Sequence, residues 1–107
     1  MSEMEKMVEM AVDRKNNPEE GSYTSYLFNK GLEKILKKVG EESTEVIIAA
    51  MGENKEDLVN EINDLLYHLA VLMAEKDVSW AEVEECMKER TKTTHNLKPE
   101  RKEITEY

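Results

Sequence analysis

Residues 40–73, GEESTEVIIAAMGENKEDLVNEINDLLYHLAVLM, carry two acidic motifs set beside long apolar runs. Glu42 and Glu45 fall in the first and Glu61 and Asp64 in the second, each pair spaced i, i+3. On a helix that spacing puts both carboxylates on one flank. Four carboxylates gathered at one place would repel one another and be pushed toward their protonated forms. A divalent cation relieves that repulsion. Hard oxygen donors, with no cysteine or paired histidine among them, select Mg²⁺, or Mn²⁺ as the alternative, over zinc. Magnesium also keeps several waters, which leaves room for a phosphate and for an attacking water. Yet 24 acidic residues in 107 produce about five i, i+3 pairs by chance, most of them solvated. Spacing alone leaves a metal site and a charged surface both open.

The elements that would position these acids are helices. One apolar arc over Leu32–Met51 contains Leu32, Ile35, Leu36, Val39, Val46, Ile47 and Ala50. Glu42 lies at the edge of that arc, Glu45 is about 60° further round, and Lys38 sits beside them. A second run, from Asn54 to Lys76, has Leu58, Ile62, Leu65, Leu66, Leu69 and Met73 as its expected core face. Glu61 and Asp64 line one edge of that face. His68 continues the stripe and could reach the site, but is expected as a partly buried, hydrogen-bonded histidine at a helix interface. The short connection around Gly52 and Asn54 favours antiparallel neighbours, so the two acidic flanks can meet along one seam.

The remainder of the chain is also helical. Met4, Met7, Val8 and Ala11 share a face of a helix over residues 2–15, which Asn16-Asn17-Pro18 ends. Hydroxyls in Ser22-Tyr23-Thr24-Ser25 suit the cap of a second helix, broken at Gly31. Ser79-Trp80-Ala81-Glu82 has capping-box spacing and opens a last helix that ends near Lys92. No strand alternation or internal repeat is visible. The expected fold is all-α: a single-domain antiparallel bundle of four to five helices over residues 1–92, followed by a polar, loosely ordered tail over 93–107.

Composition sets further bounds. Of 107 residues, 39% are hydrophobic and 36% charged, with one Trp and one Phe against seven Met. So thin a core favours completion by a second copy, and a homodimer or a higher oligomer is expected. A net charge of −9 argues against nucleic-acid and anionic-membrane partners. The lone Cys86 excludes an intrachain disulfide and suits a reducing cytoplasm. The N-terminal residues lack the basic and apolar parts of a signal peptide, and no apolar run approaches a membrane span. A zinc constellation is absent, because only His68 and His95 accompany that cysteine.

Three stretches carry a resemblance: EEGSYTSYLFNKG, ILKKVGEESTEVIIAA and EINDLLYHLAVLM. Together, from about Val8 to Arg90, they resemble the phosphoribosyl-ATP pyrophosphatase family of histidine biosynthesis. That family is part of an all-α nucleoside triphosphate pyrophosphatase superfamily whose other members are MazG-like and dUTPase-like. The superfamily signature, E-E-x-x-E followed by E-x-x-D, is matched by Glu41, Glu42, Glu45, Glu61 and Asp64. The Ser22-Tyr23-Thr24 segment and the KVGEE run of Lys38–Glu42 are closer marks of the histidine-pathway family. Asn63 departs from the small residue, usually Ala, that the family carries before the Asp.

The resemblance implies hydrolysis of N1-(5-phosphoribosyl)-ATP to N1-(5-phosphoribosyl)-AMP and pyrophosphate, on a small-molecule nucleotide, in an interlocked homodimer. It implies Glu42, Glu45, Glu61 and Asp64 as metal ligands and Glu41, Glu42 and Glu45 as catalytic. Glu41 would serve either as a further ligand or at the attacking water. Lys38 is a candidate for the triphosphate, though an i, i+4 ion pair with Glu42 accounts for it equally well. Ser22, Tyr23 and Thr24 are candidates to hold substrate, with a helix cap as the competing role of the hydroxyls. Arg14 and Lys30 are weaker phosphate candidates. A MazG-like enzyme acting on non-canonical nucleotides would share the carboxylates. A helical adaptor, with its Met-rich first helix as the docking face, would need none of them.

Overall fold

The computed structural model describes residues 1–93, and those residues form five helices: α1 Glu3–Asn16, α2 Tyr23–Lys30, α3 Leu32–Met51, α4 Lys55–Glu75 and α5 Trp80–Thr93. The expected elements agree closely with these bounds. The expected tail over 93–107 lies outside the described residues, except that Thr93 closes α5.

Local chemistry accounts for each start. Ser2 and Glu5 form a reciprocal capping box on α1. The Ser22 hydroxyl accepts from the Ser25 amide at the head of α2, and the Asn54 side chain accepts from the Asp57 amide at the head of α4. Ser79 and Glu82 exchange two bonds at the head of α5, the Ser79 amide and the Glu82 amide each donating to the other's side chain. Gly31 ends α2 and starts α3 at φ +94°, a conformation that costs a residue with a Cβ dearly. Its amide donates to the Leu27 carbonyl and its carbonyl accepts from the Ile35 amide.

The long pair α3 and α4 pack side by side. Helix α1 lies on α4, α2 bridges α1 and α3, and α5 touches α1. One core holds them, built from Ala11, Leu27, Ile35, Val71 and Ala74, with Phe28, Tyr67 and Leu72 against it. Lys15 ties α1 to the end of α4 by donating from Nζ to the carbonyls of Ala74 and Glu75, at 3.3 and 3.2 Å. Those carbonyls are among the last of the helix, where a cation is favourable.

The position of that core corrects the face expected for α4. Its buried residues are His68, Ala70, Val71 and Ala74, while Ile62 and Leu66 are exposed and Leu58, Leu65, Leu69 and Met73 are half-buried. On α3 only Ile35 is fully buried, and Leu36 and Ile47 are exposed. The reason is length. The shorter α1 and α2 cover one end of the α3–α4 pair, and the other end extends past them. Along this arm Ile47, Ile48, Met51, Val59 and Ile62 all face solvent in the single chain.

Candidate metal centre

Where the arm leaves the core, α3 and α4 set their acids against each other. Glu42 of α3 and Glu61 and Asp64 of α4 each present a carboxylate oxygen, and the three oxygens lie within 4.8 Å of one another. Adjacent oxygens on one Mg²⁺ are about 2.9 Å apart, given Mg–O bonds near 2.1 Å at right angles. Hard, anionic donors of this kind fit Mg²⁺ or Mn²⁺, which would draw the three oxygens closer together. Electrostatics record the crowding. Desolvation, then the charges of Asp64, Glu45, Glu42 and Asp57, push the Glu61 carboxyl above its ordinary pKa.

Glu45 is not among the carboxylates whose oxygens meet within 4.8 Å. It lines a hollow toward the outer end of the arm with Asp57, Glu61 and Asn54, and acts on Glu61 through its charge. Glu41 is exposed and engaged by Lys38, whose Nζ donates to its Oε2 at 3.3 Å. The same ammonium is 3.7 Å from Glu42 Oε1. Desolvation alone would lower the Lys38 pKa. The Glu41 hydrogen bond and the charges of Tyr23, Glu41 and Glu42 outweigh it and hold the pKa above the ordinary value. Lys38 therefore stays cationic at the rim of the acidic cluster.

The SYT segment divides in function. Ser22 caps α2. Thr24 is buried, and its hydroxyl is paired with that of Tyr67, so it turns into the fold. Tyr23 is half exposed, with its hydroxyl 3.1 Å from His68 Nε2. Partial desolvation raises its phenol pKa; Lys38 works against that rise, and Tyr67, Glu42 and Tyr26 add to it. Of the three, Tyr23 is the residue beside the charged cluster.

Arg14 is committed elsewhere, with Nη1 2.7 Å from Asp13 and Nε 2.8 Å from Glu19. It lines a different hollow, with Ser22, Ser25 and Glu75, to which none of the cluster carboxylates contributes. Lys30 lies over the Tyr26 ring, its Nζ 5.8 Å from the centroid. Neither reaches the carboxylates in this structure. Sequence reasoning missed the Tyr67 pairing with Thr24 and the bond between His68 and Tyr23. The available signal was the i+4 step from Asp64 to His68, which carries the acidic stripe toward α2.

An all-α chain whose E-E-x-x-E and E-x-x-D helices face each other has the architecture of the all-α nucleoside triphosphate pyrophosphatases. Comparison with known proteins narrows that class. The family model described as phosphoribosyl-ATP pyrophosphohydrolase matches residues 3–91, and the chain belongs to this family. A Streptococcus thermophilus relative named phosphoribosyl-ATP pyrophosphatase is 53% identical over 104 residues, spanning 97% of this chain and 99% of its own. Relatives of the same name are 52% identical in Clostridium acetobutylicum, over 94% of this chain and 92% of theirs, and 58% in Clostridium botulinum, over 86% and 84%.

Proposed function

We propose that this chain hydrolyses N1-(5-phosphoribosyl)-ATP between its α- and β-phosphates, releasing pyrophosphate and N1-(5-phosphoribosyl)-AMP, in the second step of histidine biosynthesis. The convergence of Glu42, Glu61 and Asp64 on one point carries this reading. Near-complete coverage by relatives of that name supports it.

Glu42, Glu61 and Asp64 are the residues that would hold Mg²⁺, with Glu45 joining them by rotation about its side-chain torsions. Bound there, the cation would supply charge neutralisation for the triphosphate and acidify a water. Lys38 meets phosphate charge at the rim, where its raised pKa keeps the ammonium protonated. Glu41, exposed and engaged by Lys38, would accept a proton from the attacking water once substrate draws the lysine away. Tyr23 closes the α2 side of the site. No covalent nucleophile is required, and Cys86 lies exposed on α5.

The apolar arm completes the proposal. Ile47, Ile48, Met51, Val59 and Ile62 form a face that a second copy would bury, giving a homodimer with the carboxylate cluster close to the seam. Among the described residues no helix is long and apolar enough to cross a membrane, and a reducing cytoplasm suits the exposed thiol.

Pyrophosphate release from phosphoribosyl-ATP, with ATP and dUTP in parallel and with Mg²⁺ or excess EDTA, tests the reading. Metal-dependent release from phosphoribosyl-ATP alone is expected. Preference for dUTP would move the chain to the house-cleaning branch of the superfamily, and inactivity on all three from folded protein would overturn the enzymatic proposal.

A further inference from the structure

Among the side chains around the cluster, His68 is buried, polar and not needed for holding a cation. It has two partners of opposite kind. Its Nδ1 is 2.8 Å from the carbonyl oxygen of Asp64, and its Nε2 is 3.1 Å from the Tyr23 hydroxyl. A carbonyl oxygen has no proton to give, so the hydrogen of the first bond must sit on Nδ1. In the neutral ring Nε2 is then a lone pair, and the Tyr23 hydroxyl must donate to it. The ring is also held sterically: Tyr67 and Tyr23 both meet it edge to face, with centroids 4.9 and 5.8 Å away. Tyr67 is itself pinned through its hydroxyl to buried Thr24.

We propose that His68 is a positioning residue that commits the Tyr23 proton inward, so that Tyr23 presents only acceptor lone pairs to the site and leaves Glu42 free for a cation. The inference rests on the proposed hydrolysis for its catalytic consequence, on the His68 hydrogen bonds for the direction of the Tyr23 proton, and on the charge that Glu42 exerts on the phenol for the competition. Tyr23 is close enough to Glu42 and Lys38 for both charges to act on its phenol. Released from His68, the phenol would have the nearby Glu42 carboxylate as an alternative acceptor, and a charge-assisted bond is stronger than one to a neutral acceptor. Such a bond competes directly with metal ligation. With the proton spent on His68, the same oxygen accepts instead, from the Lys38 ammonium or from water. Tyr23 on this account does not donate to a substrate phosphate.

The first test needs no substrate. The chain has two histidines, His68 and His95, so nitrogen-15 spectra of metal-free protein at mildly alkaline pH, assigned with His95→Gln, read the His68 tautomer directly. A protonated Nδ1 and a bare Nε2 are expected. The opposite tautomer, or a ring protonated at both nitrogens, would overturn the proposal even if the enzyme hydrolyses phosphoribosyl-ATP as expected. The second test uses variants. His68→Asn keeps a donor to the Asp64 carbonyl and removes the acceptor for Tyr23. It should raise the Mg²⁺ concentration for half-maximal thermal stabilisation about tenfold, by letting Tyr23 compete for Glu42. Adding Tyr23→Phe should bring that concentration back down, because the competing hydroxyl is gone. His68→Gln, whose amide oxygen falls near the Nε2 position, should recover part of the loss. A defect in His68→Asn that deepens when Tyr23→Phe is added, or an unchanged Mg²⁺ response, would reduce His68 to packing and sink the positioning role.

Discussion

Asp64→Asn tests the cluster most directly, because the side chain keeps its shape and loses only its charge. Glu42, Glu61 and Asp64 bring their oxygens within 4.8 Å of one another, so one cation faces three negative charges in the wild type and two in the variant. Only the folded chain assembles these groups, since they come from two helices. At free Mg²⁺ about 100 times its Kd, mass action adds about 2.7 kcal/mol to folding stability. For a domain of this size that corresponds to a rise in Tm of roughly 10–20 °C. Where the lost carboxylate weakens binding about 100-fold, the same Mg²⁺ supplies only about 0.4 kcal/mol, or roughly 2–3 °C. Differential scanning fluorimetry with Mg²⁺ and with excess EDTA measures both shifts. In EDTA the variant should melt no lower than the wild type, because a mutually repelling charge has been removed. Turnover in the same samples should fall at least about 100-fold. A variant whose Mg²⁺ shift matches the wild type's would refute this cluster as the metal site, whatever its turnover.

Other outcomes follow from the same structure. Ile35→Ala removes a side chain with no exposed surface at the junction of α2, α3 and α4, and should cost about 2–5 kcal/mol in denaturant unfolding. Lys38→Met should raise KM for phosphoribosyl-ATP about tenfold with a smaller change in kcat, if the ammonium meets ground-state phosphate charge. Ile47→Lys places a charge on the exposed apolar arm and should shift the chain toward monomer in analytical ultracentrifugation; an unchanged dimer would put the interface elsewhere. Hydrogen bonds from the Ser79 amide and hydroxyl hold the Glu82 carboxyl below its ordinary pKa. Its contribution to stability is therefore present above the unfolded glutamate's pKa and is lost as pH falls through the depressed value. Thermal melts from about pH 6 to about pH 3 should lose less stability in Glu82→Gln than in the wild type.

Much of the architecture was legible because it is written locally. Ser22, Asn54 and Ser79 each cap the helix that follows them, and Gly31 breaks the chain where only glycine sits easily. These signals span three or four residues, and the chain obeys them without reference to the rest of the fold. The acidic motifs were legible for a similar reason: i, i+3 spacing fixes a shared flank on any helix.

The places where the sequence was silent are all matters of what comes to rest against what. Hydrophobic periodicity marked Ile62 and Leu66 of α4 as core, yet both are exposed in the folded chain. A face does not specify its cover, and α1 and α2 are too short to reach that end of the pair. Thr24 and Tyr23 are neighbours in one motif, yet helical rotation sends Thr24 inward to Tyr67 and Tyr23 outward toward Lys38 and Glu42. Glu45 shares the motif spacing of Glu42 but sits one turn further along α3, outside the three oxygens that meet although its charge still acts on Glu61. Residue types and their spacing thus determined the helices, their ends and the acidic chemistry by themselves. Tertiary packing decided which carboxylates converge, which hydroxyls are already paired and which apolar residues stay exposed. Those outcomes depend on distances between segments far apart in the chain, and local spacing does not encode them.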